Sequence, residues 1–534
     1  MNNKVTVIVQ ETDLFKVYQT ADFGNLQEGD ELAEKMPELM NLRSQIYSKE
    51  FRNMIQRITG CTELTDRTDL SMNAYASSCH LLCHDDVIGT RCVSFIIYLT
   101  DPDEPWTAED GGALELYPLD ETEGVTVTHG APQGVPSPIP TTSLLPIFNS
   151  MALFTVQPGR SYHAVQEVFT DEKPRLSISG WFHAATPPVG SDMASLCQIM
   201  NKETPRPFEN IPVDTFPPPP FSSSDNEDCL ELLPEDKTLL KKFLNPIYLQ
   251  RKSIKQIHES FLSDSSIQLH GFLREDIVQS LLTELIATDE KDQLGQKRVP
   301  SSYSVGEGEG WAVNGPPHKQ RYLKYTPPPT TAPATTSSSS AARVPAGQTL
   351  HLIATSLMKS PAFLRYLHIL TSLKVRSNRL EVRRFRAGLD YTVAHHGTLV
   401  EEPLLDATLC FVKAEGEEEG EAWESGDTGG FECYIEADED ADAAASAEVY
   451  RSANDDDDSQ LMSIQAGNNV LNIVMRDPGV MRFIKYVSSR APSSRWDVSA
   501  EYELEVDSDD EDSEDENDEG SGEGEGSTGG GDEN

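Results

Sequence analysis

Apolar positions recur at two spacings along this chain. The segment PELMNLRSQIYSKEFRNMIQR, residues 37–57, brings Leu39, Leu42, Ile46, Phe51 and Ile55 near one face, which predicts a helix. Short apolar or alternating runs follow at 78–84, 93–99, 113–117, 151–156, 163–168 and 176–182. Turn residues bound them, among them Asp101-Pro102-Asp103, Gly111-Gly112 and Pro158-Gly159, so each predicts a strand. Short strands this close together, with no helix between them, predict a barrel or sandwich. A second module begins near residue 239. Helical patterns at 238–248, 274–287 and 348–373 precede strand patterns at 379–385, 389–394, 407–412, 430–435, 469–475 and 496–502.

Stretches that cannot bury a core separate these modules. Residues 188–236 include FPPPPF and then SSSD, which predicts an extended, mobile linker. Residues 327–342 (PPPTTAPATTSSSSAA) and the acidic span 415–458 predict disordered insertions in the second module, and 504–534 predicts a disordered acidic tail. The expected organisation is a first domain over 1–187, the linker, a second domain over 237–503, and the tail. A length of 534 residues accommodates this at roughly 100–200 residues per domain.

The net charge of −45 changes meaning once it is placed on this map. Residues 505–534 carry 15 acids and no base, and residues 415–458 carry 18 acids and one base, Arg451, so 32 of the 45 charges sit in two segments. The rest of the chain is ordinarily charged. The acidity argues against sequence-independent nucleic-acid binding and favours a basic partner. No apolar run reaches the roughly 20 residues that cross a bilayer, and the first residues show no basic-then-apolar leader pattern. Eight cysteines without a C-x-x-C pair fit a reduced intracellular protein; Cys79-x-x-x-Cys83-His84 has neither zinc-site nor haem-attachment spacing.

The chemistry concentrates in the first module. In extended chain, residues i and i+2 share a face, so His84 and Asp86 can point at one ion. His163 begins a later strand after the Pro158-Gly159 turn. Two histidines and one carboxylate, with positions left open, form the facial triad of non-haem Fe(II) oxygenases. Arg175 follows, with Ser177 two residues on. A guanidinium fork suits a carboxylate, as the far end of a keto acid would require.

Tyr75, His84-Asp85-Asp86, VSFIIYL at 93–99, GGALELY at 111–117 and RLSISGWFH at 175–183 closely resemble the eukaryotic ribosomal prolyl hydroxylases, strongly over residues 39–183 and more loosely beyond. The resemblance implies a mainly β fold with flanking helices: two double-stranded β-helix (jelly-roll) barrels, the second a degenerate, non-catalytic copy. It implies Fe(II) held by His84, Asp86 and His163, and 2-oxoglutarate held by Arg175 with Tyr98, Tyr75 and Ser177, with ascorbate as reductant. It implies hydroxylation of a proline in the basic small-subunit ribosomal protein at the decoding centre, with effects on translation termination and oxygen response, in nucleus or cytoplasm. The family carries more chain ahead of its first helix than precedes residue 37 here, so a buttressing N-terminal strand and helices are expected to be reduced or replaced by residues 1–27.

The second module aligns with the first as a repeat. Pro478-Gly479 matches Pro158-Gly159, Gly429-Gly430 matches Gly111-Gly112, and Arg495 matches Arg175. This register places Phe483 where His163 stands. His395 and His396 are adjacent, so on a strand they diverge and do not form a second site. Other readings stay open: a partner-binding protein that keeps the barrel as a sensor, an acidic chaperone driven by the tail, or a 2-oxoglutarate oxygenase with another substrate.

Overall fold

The computed structural model describes residues 8–20, 22–23, 31–128, 131–201, 207–216, 232–329, 344–437 and 460–505. In chain order the first half contains β1 (Ile8–Glu11), β2 (Phe15–Gln19), α1 (Glu31–Lys35), α2 (Pro37–Ile46), α3 (Lys49–Thr59), β3 (Leu64–Tyr75), β4 (His80–His84), β5 (Arg91–Tyr98), β6 (Leu114–Leu116), β7 (Thr126–Thr128), β8 (Ala131–Gln133), β9 (Thr142–Leu144), β10 (Met151–Thr155), β11 (His163–Val165), β12 (Arg175–Ala184) and α4 (Ser195–Met200). One curled sheet runs β10-β5-β12-β3-β2-β4-β11-β6-β9. The six expected strands of this half are all present.

The longest strand of the half, β3, is not evident from its sequence, LTDRTDLSMNAY. Its Leu70 and Met72 join the core under the sheet, while Asp69, Ser71, Asn73 and Tyr75 line a cavity on the other face. A strand whose inner face lines a polar cavity lacks the apolar signature of a core strand. The helix expected over 37–57 is two helices. Ser48 interrupts it, its hydroxyl accepting a hydrogen bond from Phe51 N at 3.2 Å as the N-cap of α3. Phe51 then packs on Phe182 of β12, with ring centroids 6.2 Å apart. Strands β1 and β2 lie within residues 1–27, where the buttress is expected to be reduced or replaced, and β2 pairs with both β3 and β4 and so joins the two parts of the sheet.

Part of the expected linker is ordered. In α4, Ser195, Leu196 and Gln198 are buried, and Gln198 Nε2 donates to the Tyr162 hydroxyl at 2.8 Å. Beyond it, β13 (Glu209–Asn210) pairs with the second half. The run after Phe216 lies outside the described residues, as do most of 327–342 and the tail from 506.

The second half continues with α5 (Pro234–Leu240), α6 (Arg251–Asp264), β14 (Ser266–His270), α7 (Glu275–Asp292), β15 (Trp311–Asn314), β16 (Gln320–Tyr325), α8 (Ala346–Ile353), α9 (Pro361–Thr371), β17 (Val375–Phe385), β18 (Tyr391–Thr392), β19 (Leu404–Phe411), α10 (Glu417–Glu424), β20 (Glu432–Glu436), β21 (Gln460–Ile464), β22 (Val470–Arg476), β23 (Val480–Ile484) and β24 (Arg495–Leu504). The helix expected over 348–373 breaks before Pro361, which opens α9 with Ser360 as its cap. The strand expected at 389–394 shrinks to β18, and α6 lies outside the expected helical patterns. The acidic span 415–458 is not wholly an insertion. Trp423 of α10 is 1% exposed in the core and Glu432 of β20 is buried among arginines, while 438–459 lie outside the described residues.

Strand order repeats between the halves. The run β10-β5-β12-β3 has its counterpart in β22-β19-β24-β17, and β11-β6-β9 in β23-β20-β21. Helices α5 to α9 pack with the larger sheet of the second half around its apolar core.

Candidate metal centre

His84 ends β4 and His163 begins β11, and the two residues are paired across the sheet. Their rings lie 4.3 Å apart. Asp86 stands two residues past His84, but not on an extended strand as expected: β4 has ended, and Asp86 adopts φ +62. That turn swings its carboxylate between the histidines, 3.3 Å from His84 Nε2 and 3.4 Å from His163 Nε2. A positive φ is uncommon outside glycine, and Asp is among the residues that adopt it most readily. Among the described residues this is the group whose potential metal-binding atoms all lie within 4.8 Å of one another.

The rings are set for a metal. His84 Nδ1 faces Leu82 O and His163 Nδ1 faces Ser161 O, each at 2.8 Å. A carbonyl only accepts, so each Nδ1 carries the proton and each Nε2 can present its lone pair to an ion. Burial alone would raise the Asp86 carboxyl and lower His163. Their mutual attraction overrides it, holding Asp86 well below the usual carboxylate range and His163 above its ordinary value. A buried carboxylate between two imidazoles is the donor set that a divalent cation satisfies.

Asp85, which the sequence reading passed over, clasps the two loops that carry these groups. It accepts from Gly159 N at 3.0 Å, in the turn leading to His163, and from Ser195 N and Oγ, both at 2.9 Å. Its position beside Asp86 was the available signal; its partner in α4 was hidden because that span reads as linker.

The remaining expected residues gather in the same place. Arg175, 1% exposed, donates from Nε to Gly112 O at 2.7 Å and from Nη1 to Ser177 Oγ at 3.3 Å. Its guanidinium lies 4.8 Å from the Tyr75 ring centre and 5.1 Å from that of Tyr98. Arg175 Nη2 and the Tyr98 hydroxyl are buried without a hydrogen bond of good geometry, the two side chains interacting with each other. Buried donors without such a bond are rare, and two together fit a carboxylate ligand. A cavity of about 370 Å³ joins His84, Asp86 and His163 to Tyr75, Arg175 and Ser177, and its rim reaches Trp181 and Asp69.

The second half closes the same positions with its own charges. Leu116, four residues past Gly112, pairs with His163, and Tyr434, four past Gly430, pairs with Arg482. Arg482, not Phe483, therefore holds the place of His163. Arg495 donates to Gly430 O, as Arg175 does to Gly112 O, but it is also paired with Asp497 at 3.2 Å and Glu432 at 3.5 Å. It has internal carboxylates where Arg175 has a donor without a hydrogen bond of good geometry. His395 and His396 line a separate cavity of about 960 Å³ with Arg482, and among the described residues they belong to no group of three potential metal-binding side chains.

Comparison with known proteins agrees with this geometry. Residues 70–183 match the 2OG-Fe(II) oxygenase superfamily, and residues 235–512 match the family described as oxoglutarate and iron-dependent oxygenase degradation C-term. The chain is 37% identical over 508 residues, 94% of its length and 90% of the relative's, to prolyl 3,4-dihydroxylase OGFOD1 of Ostreococcus tauri. It is 27% identical over 92% of its length, and 76% of the relative's, to prolyl 3-hydroxylase sudestada1 of Drosophila melanogaster. The chain belongs to the OGFOD1-type prolyl hydroxylases of the 2OG-Fe(II) oxygenase superfamily, a peptidyl-proline dioxygenase with Fe(II) and 2-oxoglutarate as cofactors.

Proposed function

We propose that this chain hydroxylates a proline of a basic small-subunit ribosomal protein, with iron held by His84, Asp86 and His163. Arg175 takes the far carboxylate of 2-oxoglutarate, with Ser177, Tyr98 and Tyr75 around it. Buried Arg175, which lines the same cavity as the His–Asp–His group and whose Nη2 makes no hydrogen bond of good geometry, is the observation that supports this most.

When bound, iron and 2-oxoglutarate supply the oxidising chemistry that inserts one oxygen atom of dioxygen into an unactivated C–H bond, 2-oxoglutarate leaving as succinate and carbon dioxide. The chain supplies placement. The Nδ1 hydrogen bonds fix both imidazoles, Asp85 locks their loops, and the buried rings of Tyr75 and Tyr98 flank the Arg175 guanidinium. A basic substrate suits the acidic segments, whose long-range attraction fades with salt. Such a substrate is met in nucleus and cytoplasm alike, and hydroxylation at the decoding centre would act on translation termination.

Incubating the full chain with Fe(II), 2-oxoglutarate and a proline-containing peptide of the ribosomal protein tests this by mass spectrometry. A gain of one oxygen mass is expected, absent in His163→Ala. A folded, iron-loaded chain that leaves this peptide unchanged refutes the substrate.

A further inference from the structure

The buried arginine of the catalytic half is tied, through two backbone bonds and one side chain, to the other half of the protein. Arg175 Nε donates to Gly112 O, and Gly112 N donates to Glu167 O at 3.0 Å. Gly112 has φ +67, and a Cβ there would lie 2.8 Å from Arg175 Cδ, so the turn and the arginine are fitted to one another. The side chain of Glu167 crosses into the second half. It is 1% exposed and accepts from Ser488 Oγ at 2.5 Å, Ser489 N at 2.9 Å and the Tyr486 hydroxyl at 3.2 Å.

Burying a carboxylate is a poor way merely to join two surfaces, because desolvation offsets most of what its hydrogen bonds return. It does fix direction. The repeat supplies an internal comparison: Gly430 N donates to Lys485 O, and Lys485 reaches back to Glu11 of the first half. Each half thus reaches across to the other beside the same turn, Lys485 one residue short of the position that matches Glu167. Only the contact at Glu167 leads to an arginine whose Nη2 makes no hydrogen bond of good geometry, since Arg495 is already engaged by Asp497 and Glu432.

We propose that Glu167 is a positioning residue for 2-oxoglutarate, through which residues 486–489 of the second half set the aim of Arg175. This rests on the reading of Arg175 as the partner of the co-substrate's far carboxylate.

The test uses the full chain loaded with Mn(II), titrated by calorimetry with 2-oxoglutarate and separately with pyruvate, a keto acid without the far carboxylate. Glu167→Gln, and independently Ser488→Ala with Ser489→Ala, should weaken 2-oxoglutarate by about 10-fold, as loss of a group that orients a ligand-binding residue does. Pyruvate affinity should stay unchanged, and in the iron-loaded chain the KM for 2-oxoglutarate should rise while kcat at saturation holds. Equal weakening of both keto acids, or no change in either, overturns the proposal. Arg175→Met separates the two levels. If it leaves 2-oxoglutarate affinity intact, the reading of Arg175 fails; if it weakens binding while the Glu167 and serine variants do not, only the positioning role fails. The serine variants keep the test usable should Glu167→Gln not fold.

Discussion

Replacing Asp85 by alanine should damage the protein more than its modest place beside Asp86 implies. The carboxylate is 1% exposed and accepts from Gly159 N, Ser195 N, Ser195 Oγ and, at 3.3 Å, Val87 N. Alanine leaves three backbone N–H groups buried without an acceptor, each worth about 1–3 kcal/mol. Part of that loss is returned, because burial disfavours the charge and pushes the Asp85 carboxyl up from its ordinary value. The net expectation is a loss of about 3–5 kcal/mol, the lower part of the sum over three unsatisfied amides. Ser195→Ala removes the hydroxyl that donates to the Asp85 carboxylate and accepts from Asp85 N at 3.3 Å, while the Ser195 amide still reaches Asp85, and should lose only about 1–2 kcal/mol. The two share the hydroxyl–carboxylate bond, so the double variant should fall short of the sum of the single losses. Because the same carboxylate joins the Asp86 loop to the turn before His163, metal affinity should drop by about 10–100-fold in Asp85→Ala. Denaturant titration of the full chain and Mn(II) binding measure both effects. If Asp85→Ala is no worse than Ser195→Ala, or leaves metal affinity intact, Asp85 does not organise the site.

Three further outcomes follow from the same geometry. Gly112→Ala forces a side chain into φ +67 and against Arg175 Cδ; it should reduce 2-oxoglutarate affinity sharply with little change in metal binding, read by paired titrations. A divalent ion at 100 times its Kd should raise unfolding stability by about 2.7 kcal/mol, and chelation should reverse this, a linkage lost in His163→Ala. The pH response of the second half has a defined sign. Burial alone would raise the Glu501 carboxyl from its ordinary 4.5, but Arg476, Arg379 and Arg482 hold it at about 2. The unfolded chain therefore binds the proton first on acidification. The contribution of Glu501 is present above about pH 4.5 and is lost as pH falls toward 2, which acid unfolding of the wild type against Glu501→Gln would measure.

The strands that carry the chemistry were legible because each alternates or runs apolar between strong turns. The His84, Asp86, His163 and Arg175 set was legible because metal and carboxylate binding demand particular side chains. What escaped follows a physical pattern. β3 was missed because its inner face contacts a polar cavity, and hydrophobic periodicity reports only on apolar burial. Asp86 reaches the site through a left-handed turn rather than strand alternation, a detail spacing alone does not encode. α4 was missed because a six-residue helix beside proline-rich chain has too few periods to detect, and its ordering depends on Asp85, 110 residues away along the chain. The repeat was legible from its Gly-Gly and Pro-Gly turns, but its register was not: a gapless alignment picks Phe483, whereas strand pairing picks Arg482.

That shift of one residue alters the physical reason to expect no iron in the second half. A phenylalanine would merely fail to ligate; an arginine places a permanent positive charge where a cation would sit. Glu432 is what makes this tolerable. It is 1% exposed, ion-paired to Arg482 and 3.5 Å from Arg495, and these arginines with Arg383 hold its carboxyl below its ordinary value against a burial that alone would raise it. Asp497 bridges Arg383 and Arg495 beside it. The cluster therefore stands in, with protein charges, for both the metal and the co-substrate. Glu432→Gln should leave Arg482 and Arg495 undercompensated and destabilise the second half by about 3–5 kcal/mol. It should not create a second metal or 2-oxoglutarate site, because Arg482 remains and Asp497 still engages Arg495. Calorimetric titration should find one metal per chain before and after the change. A second equivalent of metal bound by Glu432→Gln would show that the positive charge at 482 is not what excludes the ion.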